Sequence, residues 1–326
     1  MIVRLTRILL LAQLVMTGVL AIAAIKLWHV EQIWLAWLLG LGIVLMFRAA
    51  ITANNFLIAR RYRDHTEPVP PLGWFQYSLL FIKEFYATIY STSWSLPFQS
   101  FTQRLCPGST STASTVLPVL LIHGYGCNSG YWHSMSKALQ QAGISHGAVD
   151  LEPVLGSIDA YASQLQQAID ALCLSCGSDR VVLVGHSMGG LAARAYLRAR
   201  GDARVARVIT LATPHYGTAV ANYGIGINSA QMRWTNDDGV GGANAWLRQL
   251  ERDESSATRA MISSIYTPHD NIVSPHSSCH LPGARNIVLP RIGHVAFALH
   301  PAVQACVIEE IRLASKAIPD SARKMA

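Results

Sequence analysis

Charged residues are scarce in this chain. Asp, Glu, Lys and Arg make up 14% of its residues, against about 25% in ordinary soluble domains, whereas hydrophobic residues reach 51%. Acidic residues are the scarcer sign, since 19 Asp and Glu oppose 26 Lys and Arg and leave a formal net charge of +7. The arginines are scattered or lie beside apolar segments, which favours a membrane surface over nucleic acid. Composition therefore predicts membrane association and no nucleic-acid partner.

Cysteine and the common cofactor motifs are also poorly represented. Six dispersed cysteines exclude a disulfide scaffold. Cys173 and Cys176 form a C-x-x-C pair without a second pair at zinc-site spacing, so we interpret them as free thiols, with a local redox pair as the alternative. His276 and His280 lie four residues apart, but Pro275 argues against a helix that carries both. No H-E-x-x-H, P-loop or dinucleotide fingerprint occurs in a suitable context, so we predict no metal and no cofactor.

The N-terminal residues contain two long apolar runs. Ile8–Leu27 would span about 30 Å as a helix, the thickness of a bilayer core. Ile33–Phe47 is shorter and reaches Ile51 if Arg48 snorkels to the headgroups. This pattern predicts a transmembrane helical hairpin over residues 1–63. Three tryptophans near the connection are typical of an interface: Trp28, Trp34 and Trp37.

The distribution of arginine predicts the orientation of this hairpin. Arg4 and Arg7 precede the first run, several arginines follow the second, and the connection has no Lys or Arg. The positive-inside rule then places both ends in the cytoplasm. The alternative is a cleaved signal peptide with a site at Ala21-Ile22-Ala23, followed by export. We prefer the hairpin because a second apolar segment follows almost at once.

Residues 64–116 are predicted to connect the hairpin to a larger domain. Asp64–Pro71 is rich in proline and charge, and Pro107–Thr115 has the composition of a loop. Between them, Trp74–Trp94 is rich in aromatic residues, and Phe81 and Phe85 recur at helical spacing. Two interpretations remain open: a helix packed on the following domain, or a helix lying on the bilayer.

From residue 117 onward, short apolar strands alternate with helical stretches. The strands are predicted near Val119–Ile122, Gly147–Leu151, Arg180–Val184, Arg207–Leu211, Met261–Tyr266 and Asn286–Leu289. The helices are predicted near Tyr131–Ala142, Ser157–Leu174, Met188–Arg200 and Ala302–Lys316. This alternation predicts an α/β domain over residues 117–326, with a mostly parallel sheet covered by helices on both faces.

The sequence Gly185-His186-Ser187-Met188-Gly189 lies between one of these strands and one of these helices. This is the context of a nucleophile elbow, in which a sharp strand-to-helix turn presents a serine hydroxyl. Glycines on either side of Ser187 suit so tight a turn, because larger side chains would collide there. An ordinary Gly-Ser-Gly turn is the alternative.

A serine nucleophile requires a base and an acid that orients the base. In hydrolases with such an elbow, the acid and then the histidine follow the serine, each just after a strand. Asp270 and His294 meet these conditions best. Acids that are less well placed are Asp237, Asp238, Asp253 and Glu254, of which the last two are expected on a polar helix face. Competing histidines are His269, His276, His280 and His300.

Attack on a carbonyl also requires donors for the oxyanion. The amide of Met188, at the start of the elbow helix, is one candidate. The other is the amide of Tyr125, in the loop after the first strand, where neighbouring glycines allow close approach. His123 and His186 flank these positions, and we interpret both as hydrogen-bonded supports.

Five segments together resemble bacterial triacylglycerol lipases of the α/β-hydrolase fold. They are His123-Gly124-Tyr125-Gly126, residues 185–190, residues 211–218, Asp270-Asn271-Ile272-Val273 and Gly293-His294. The resemblance implies that Ser187 is the nucleophile, Asp270 the acid and His294 the base, with Tyr125 and Met188 as the oxyanion hole. It also implies a lid over about residues 216–250. The lid residues expected to face acyl chains or core are Ile225, Ile227, Met232, Trp234 and Trp246.

The chain departs from secreted lipases in its N-terminal third. The resemblance and the hairpin together predict a serine hydrolase of lipid acyl esters or small esters, acting through an acyl-enzyme and anchored in a bacterial inner membrane with its catalytic domain in the cytoplasm. An acyltransferase or thioesterase would use the same three residues. An alternative of another class is a catalytically silent membrane-bound interaction module. No calcium ligand set is recognisable.

Overall fold

The N-terminal residues form two long helices. The structure, a computed structural model, describes residues 1–63, 69–106, 116–235 and 242–317. Helices α1 (Ile2–Leu27) and α2 (Ile33–Arg61) are both long and apolar enough to cross a membrane. They approach closely at Gly40, where an added Cβ would lie 2.5 Å from the carbonyl oxygen of Thr17. The glycine therefore permits the backbone contact between the two helices.

Helix α2 continues well beyond the predicted end of its apolar run, and Arg48 explains the difference. Its guanidinium does not snorkel away from the protein. It donates to Gln13 Oε1 at 2.9 Å and to Ser93 Oγ at 2.9 Å, and also to Thr92 Oγ1. Since the charged group is satisfied by neighbouring helices, α2 need not end near it.

The aromatic-rich segment forms α3 (Trp74–Tyr90), a π-helical turn at Ser91–Ser95 and α4 (Leu96–Phe98). One face of α3 is buried through Leu80, Glu84 and Ala87, and Ala87 joins the core of the following domain. The opposite face exposes Trp74 and Tyr86. The packed interpretation therefore holds for one face, while contact of the other face with lipid stays a prediction.

Within the described ranges, nine strands follow along the chain. They are β1 (Gln103–Arg104), β2 (Val119–Ile122), β3 (His146–Val149), β4 (Val181–His186), β5 (Val205–Leu211), β6 (Trp234–Thr235), β7 (Gly242–Ala243), β8 (Ile262–Tyr266) and β9 (Arg285–Val288). Seven form one sheet in the order β1-β3-β2-β4-β5-β8-β9, and β6 pairs only with β7. Every pairing in the large sheet is parallel except that of β1 with β3. The predicted mostly parallel sheet is thus confirmed, and the unpredicted β1 is a two-residue antiparallel edge.

Seven further helices accompany the sheet in the part of the chain that the structure describes. They are α5 (His133–Gln141), α6 (Ala162–Cys176), α7 (Met188–Arg200), α8 (Ile227–Gln231), α9 (Ala245–Arg252), α10 (Ser256–Ala260) and α11 (Pro301–Lys316). Hydrophobic cores lie on both sides of the sheet: α6 and α7 contribute to one, and α5 and α11 to the other. Every residue of β4 is buried, which is why Val181–Val184 is a continuous apolar run rather than an alternating one.

Cys173 and Cys176 are both free thiols within α6. Burial raises the pKa of Cys173 to about 11, which disfavours its thiolate. This agrees with the free-thiol interpretation.

Candidate active site

Ser187 occupies a sharp turn between β4 and α7. Its backbone has φ 54° and ψ −123°, and its amide donates to the carbonyl of Leu211 at 2.8 Å. An added Cβ would lie 2.6 Å from the Gly189 backbone at Gly185, and 2.2 Å from the carbonyl oxygen of Ile122 at Gly189. Both glycines are therefore required sterically, as the sequence predicts. A non-glycine residue at positive φ in such a turn is typical of a functional position.

Asp270 and His294 lie after β8 and β9, and they contact each other directly. Asp270 Oδ2 is 2.9 Å from His294 Nδ1, and both residues are buried. Asp270 Oδ1 accepts hydrogen bonds from the amides of Ile272 at 2.8 Å and Val273 at 2.7 Å. These bonds fix the carboxylate so that its second oxygen orients the imidazole ring.

The electrostatic surroundings of His294 favour its protonated form. Burial by itself lowers the pKa of this ring, but the charge and hydrogen bond of Asp270, together with Glu84, raise the pKa above its ordinary value. The ring is thus suited to accept a proton.

The His294 ring also lies beside the elbow. Its centroid is 4.6 Å from the ring of His186, the residue that precedes Ser187. Within the described part of the chain, the Ser187 hydroxyl makes no hydrogen bond to His294 or to any other group. Such hydrogen bonds are often long in unliganded enzymes and tighten when substrate binds. The structure therefore joins the predicted acid to the predicted base and brings the base next to the turn that carries the serine.

The loop after β2 lies against the elbow. An added Cβ at Gly124 would be 3.1 Å from Ser187 Cβ, so the backbone passes close to the serine. No acceptor among the described residues takes a hydrogen bond from the amide of Tyr125 or of Met188. The Tyr125 hydroxyl instead donates to the carbonyl of Ile225 at 2.8 Å, which links this loop to the segment before α8. The two amides thus remain available to a substrate oxygen.

His123 and His186 have hydrogen bonds that suit neutral supporting residues. His123 Nδ1 donates to the Gly124 carbonyl at 2.8 Å, and its Nε2 accepts from the Leu151 amide at 3.0 Å. His186 Nε2 donates to the His294 carbonyl at 3.1 Å. Burial lowers the pKa of both rings, and the nearby His294 lowers that of His186 further. Both rings therefore hold the backbone around the site in place through hydrogen bonds.

The competing histidines lie in other environments. His269 bonds to the carbonyl of Pro70 and accepts from the amide of Arg291, at 3.1 Å and 3.2 Å. His300 caps α11 by accepting from the Ala302 amide at 3.3 Å. In the described ranges, no group of three His, Cys, Asp or Glu side chains is arranged for a metal ion.

Glu254 differs from its expected place on a polar helix face. Helix α9 ends at Arg252, and the side chain of Glu254, two residues later, is buried against Arg194. The two form a bidentate ion pair at 2.6 Å and 2.8 Å. Asp237 and Asp238 lie outside the described residues.

Some residues of the predicted lid are buried against the core, and others are exposed. Met232 is buried in the core, and Trp246 packs against that core while donating to Asp159 at 2.8 Å. Ile225 and Ile227 do not face the core, since they are 67% and 59% exposed. Trp234 lies half-buried in β6. Residues 236–241 of the predicted lid lie outside the described residues.

One residue near the site was missed by sequence reasoning. Glu84 is fully buried and accepts hydrogen bonds from the two amides that follow His294, those of Val295 and Ala296. A sequence pattern could have identified it, because Leu80, Glu84 and Ala87 lie on one face of a helix and the other two are apolar. A carboxylate on such a face must find hydrogen-bond donors within the fold.

Comparisons with known proteins agree with this architecture. A family model described as the alpha/beta hydrolase fold matches residues 118–238. Triacylglycerol lipases of Pseudarthrobacter phenanthrenivorans and Pseudomonas fragi are 31% and 32% identical to this chain over 126 and 116 residues. Each match covers 34% of this chain, and the chain spans only 37% and 39% of those relatives.

Two solved lipase structures are similar in fold. The mature Bacillus licheniformis lipase BlEst2 has a TM-score of 0.51 at 16% identity, covering 61% of this chain and 93% of that one. Aspergillus fumigatus lipase B has a TM-score of 0.51 at 17% identity, and the match covers 63% of this chain and 54% of that one. With the sheet order and the elbow described above, these similarities show that the chain has the α/β-hydrolase fold.

Proposed function

We propose that this protein is a serine hydrolase that cleaves carboxylic esters through an acyl-enzyme, with Ser187, Asp270 and His294 as its catalytic residues. The observation that carries the proposal is the hydrogen bond between Asp270 and His294 directly beside the elbow of Ser187. The similarity to proteins named triacylglycerol lipase supports esters as the substrate class.

In the first half of the reaction, Ser187 Oγ attacks the acyl carbonyl carbon while His294 Nε2 takes the hydroxyl proton. The carbonyl π electrons move to oxygen, and the amides of Tyr125 and Met188 donate to that oxyanion. When the oxyanion collapses, the bond between the acyl carbon and the alkoxy oxygen breaks. His294 returns its proton to the leaving alcohol, which leaves an acyl-enzyme on Ser187.

In the second half, His294 takes a proton from water, and the resulting hydroxide oxygen attacks the acyl carbon. When this second oxyanion collapses, the bond between the acyl carbon and Ser187 Oγ breaks and the carboxylic acid is released. His294 returns its proton to Ser187 Oγ, which restores the hydroxyl. Throughout both halves, Asp270 keeps Nδ1 protonated and Nε2 directed to the reaction, and its charge stabilises the imidazolium. This is why a buried carboxylate accompanies the base.

We further propose that residues 1–63 anchor the chain in a membrane and that its substrates are lipid acyl esters. Many large apolar side chains of α1 and α2 are exposed, among them Leu14, Val15, Ile22, Leu38 and Met46. The hydrocarbon core of a bilayer would bury this apolar surface, whereas in water it would stay exposed to solvent. The anchor would raise the local concentration of lipid substrate without changing the chemical step.

A fluorophosphonate probe tests the catalytic assignment. The full chain in detergent is expected to react at Ser187, as identified by peptide mass spectrometry, and Ser187→Ala should lose the label. Ser136→Ala is the matched control, because Ser136, in α5, is also buried but bonds to His146 of β3. It should keep the label. Turnover of esters of graded acyl length then defines the substrate class, and a folded wild-type chain that neither labels nor hydrolyses any ester would contradict the proposal.

A further inference from the structure

The fully buried carboxylate of Glu84 lies directly against the loop that carries His294. Glu84 Oε1 accepts from the Val295 amide at 2.8 Å, and Oε2 accepts from the Ala296 amide at 2.9 Å. The residue belongs to α3, which precedes the α/β-hydrolase domain, and 212 positions separate it from Ala296. A helix outside the domain therefore binds the two residues that immediately follow the candidate base.

The residue before His294 also fits this carboxylate. At Gly293, an added Cβ would lie 2.3 Å from Glu84 Oε2 and 2.6 Å from the carboxyl carbon. Only a residue without a side chain allows the carboxylate to approach so closely. Glu84 thus contacts the backbone on both sides of His294.

Side chains also hold other polar backbone groups of this loop, in addition to the backbone hydrogen bond from the Phe297 amide to the His294 carbonyl at 3.3 Å. The His294 amide donates to Asn271 Oδ1 at 3.0 Å, and the His294 carbonyl accepts from His186 Nε2 at 3.1 Å. The Val295 carbonyl accepts from the Tyr131 hydroxyl at 3.3 Å. Glu84 supplies the acceptors for the next two amides. Residues 293–296 are neither strand nor helix, and the amides of residues 294–296 all donate to side chains, so the position of His294 depends on these side chains.

We propose that Glu84 is a positioning residue for His294, so that the helix preceding the α/β-hydrolase domain completes its catalytic site. This inference rests on the proposed function for its kinetic consequences. Asp270 orients the imidazole ring from its Nδ1 side, whereas Glu84 holds the backbone that carries the ring. A displaced carboxylate at position 84 would therefore move the base relative to Ser187.

Glu84 also acts on His294 through its charge. Burial, together with the charge of Asp270, raises the pKa of Glu84 above its ordinary value, and the two amide donors and the nearby His294 offset only part of that rise. The negative charge of Glu84 in turn contributes to the raised pKa of His294. The titratable groups around this pair are Asp270 and His186, with Tyr131 and Cys127 beyond them.

The first test is Glu84→Gln in the full chain, which keeps the side-chain size but removes the charge and one acceptor oxygen. We expect kcat to fall about 10²-fold, the effect of a small misplacement of a catalytic group, with a much smaller change in KM. The acidic limb of the kcat/KM profile should move to lower pH, because the loss of a negative charge lowers the pKa of His294. A merely structural role of Glu84 would not move this limb.

Glu310→Gln is the matched control. Glu310 is also buried but pairs with Arg207 and Arg285, at 3.4 Å and 3.1 Å. Arg285 begins β9, whereas His294 follows the opposite end of that strand. This variant should lower Tm while leaving kcat and the acidic limb unchanged. If Glu84→Gln behaves in the same way as Glu310→Gln, the proposal is overturned.

Two further variants keep the test decisive if Glu84→Gln does not fold. Glu84→Asp keeps the charge but shortens the side chain by one methylene, so kcat should fall while the acidic limb stays near the wild-type pH. In Gly293→Ala, the new Cβ would lie 2.3 Å from Glu84 Oε2 and would push the carboxylate away without removing it. This variant should also lower kcat. Wild-type kcat in both folded variants would contradict the positioning role.

A measurement that needs no substrate separates this inference from the proposed function. In ¹⁵N-histidine-labelled full chain in detergent, the His294 imidazole is titrated by NMR and assigned from its loss in His294→Gln. Glu84→Gln should lower the pKa of this ring, and an unchanged pKa would overturn the inference. If the pKa falls while wild type neither hydrolyses esters nor labels with fluorophosphonate, Glu84 still positions His294 and only the proposed function fails.

Discussion

At the scale of single residues, the candidate site depends on a few backbone positions with almost no steric freedom. Ser187 adopts positive φ, and the glycines at 185 and 189 contact backbone atoms where a methyl group would not fit. Gly190 is a third such position, since an added Cβ would lie 2.1 Å from Thr213 Oγ1. The local geometry of the turn thus dictates the residue type at each of these positions.

Gly189→Ala should destabilise the fold, because its new methyl group would overlap the carbonyl oxygen of Ile122. We expect a loss of about 1–3 kcal/mol in the free energy of unfolding, typical of overpacking, together with loss of fluorophosphonate labelling. Urea unfolding followed by circular dichroism measures the change. Gly242→Ala is the control, since no atom lies within 4 Å of its added carbon, and equal stability of the two variants would refute the steric explanation.

Asp270→Asn should lower kcat by about 10⁴-fold, the effect of losing the acid that sets the histidine tautomer in a serine protease. The active base is neutral His294, whose pKa is raised mainly by Asp270 against the effect of burial. Removal of that charge lowers the pKa, so the acidic limb of kcat/KM should move to lower pH. Stopped-flow ester hydrolysis between pH 5 and 9 measures both effects, and a limb that moves upward would contradict the assignment.

At the scale of elements, a buried ion pair joins α7 to the segment after α9. Arg194 and Glu254 are almost fully buried and bond through two parallel contacts, and Arg194 also donates to the His215 carbonyl at 3.3 Å. His215 lies just before the predicted lid, and burial and Arg194 lower its pKa well below the ordinary value. This network therefore connects the elbow helix with the chain that enters the predicted lid.

Glu254→Gln should cost about 3–5 kcal/mol in the free energy of unfolding, because it leaves the Arg194 charge buried without its partner. Thermal or urea unfolding of the full chain in detergent measures the loss. The comparison is Asp170→Asn, which removes an exposed pair with Arg204 at 3.7 Å and should cost less than about 1 kcal/mol. Equal costs would mean that burial does not set the strength of the Arg194 pair.

At the scale of the whole molecule, the N-terminal helices contact both the α/β-hydrolase domain and the connecting segment that contains α4. Ser274 Oγ donates to the Ala59 carbonyl at 3.1 Å, and Arg7 Nε donates to the Pro97 carbonyl at 2.9 Å. A cavity of about 300 Å³ separates the end of α2 from the Asp270 loop and is lined in part by Phe56 and His269. The predicted anchor and the candidate site are therefore neighbours in space.

The full chain should remain in the membrane fraction after alkaline carbonate extraction, because α1 and α2 expose apolar side chains over their length. Mass spectrometry of the protein from that fraction should find Met1-containing peptides. A mature N-terminus just after Ala23, together with release into the soluble fraction, would instead identify the first run as a cleaved signal peptide.

Sequence alone determined the features that depend on neighbouring residues. Strand-and-helix alternation predicted the parallel sheet, and the fold is confirmed. The residues around Ser187 predicted the elbow, since a tight turn leaves a strong local pattern of glycines. The order of strands predicted Asp270 and His294, which lie in contact, although their catalytic roles stay predictions.

Tertiary structure decided the partners of isolated polar groups in apolar surroundings. Three such groups bind residues that are far away in the chain. Glu84 binds the loop of His294, Arg48 binds the neighbouring helices, and Glu254 binds Arg194. The sequence shows that each such group needs a partner, because burial of an unpaired charge is costly. It does not show which partner, because that choice depends on how helices and loops are arranged in space rather than on spacing along the chain.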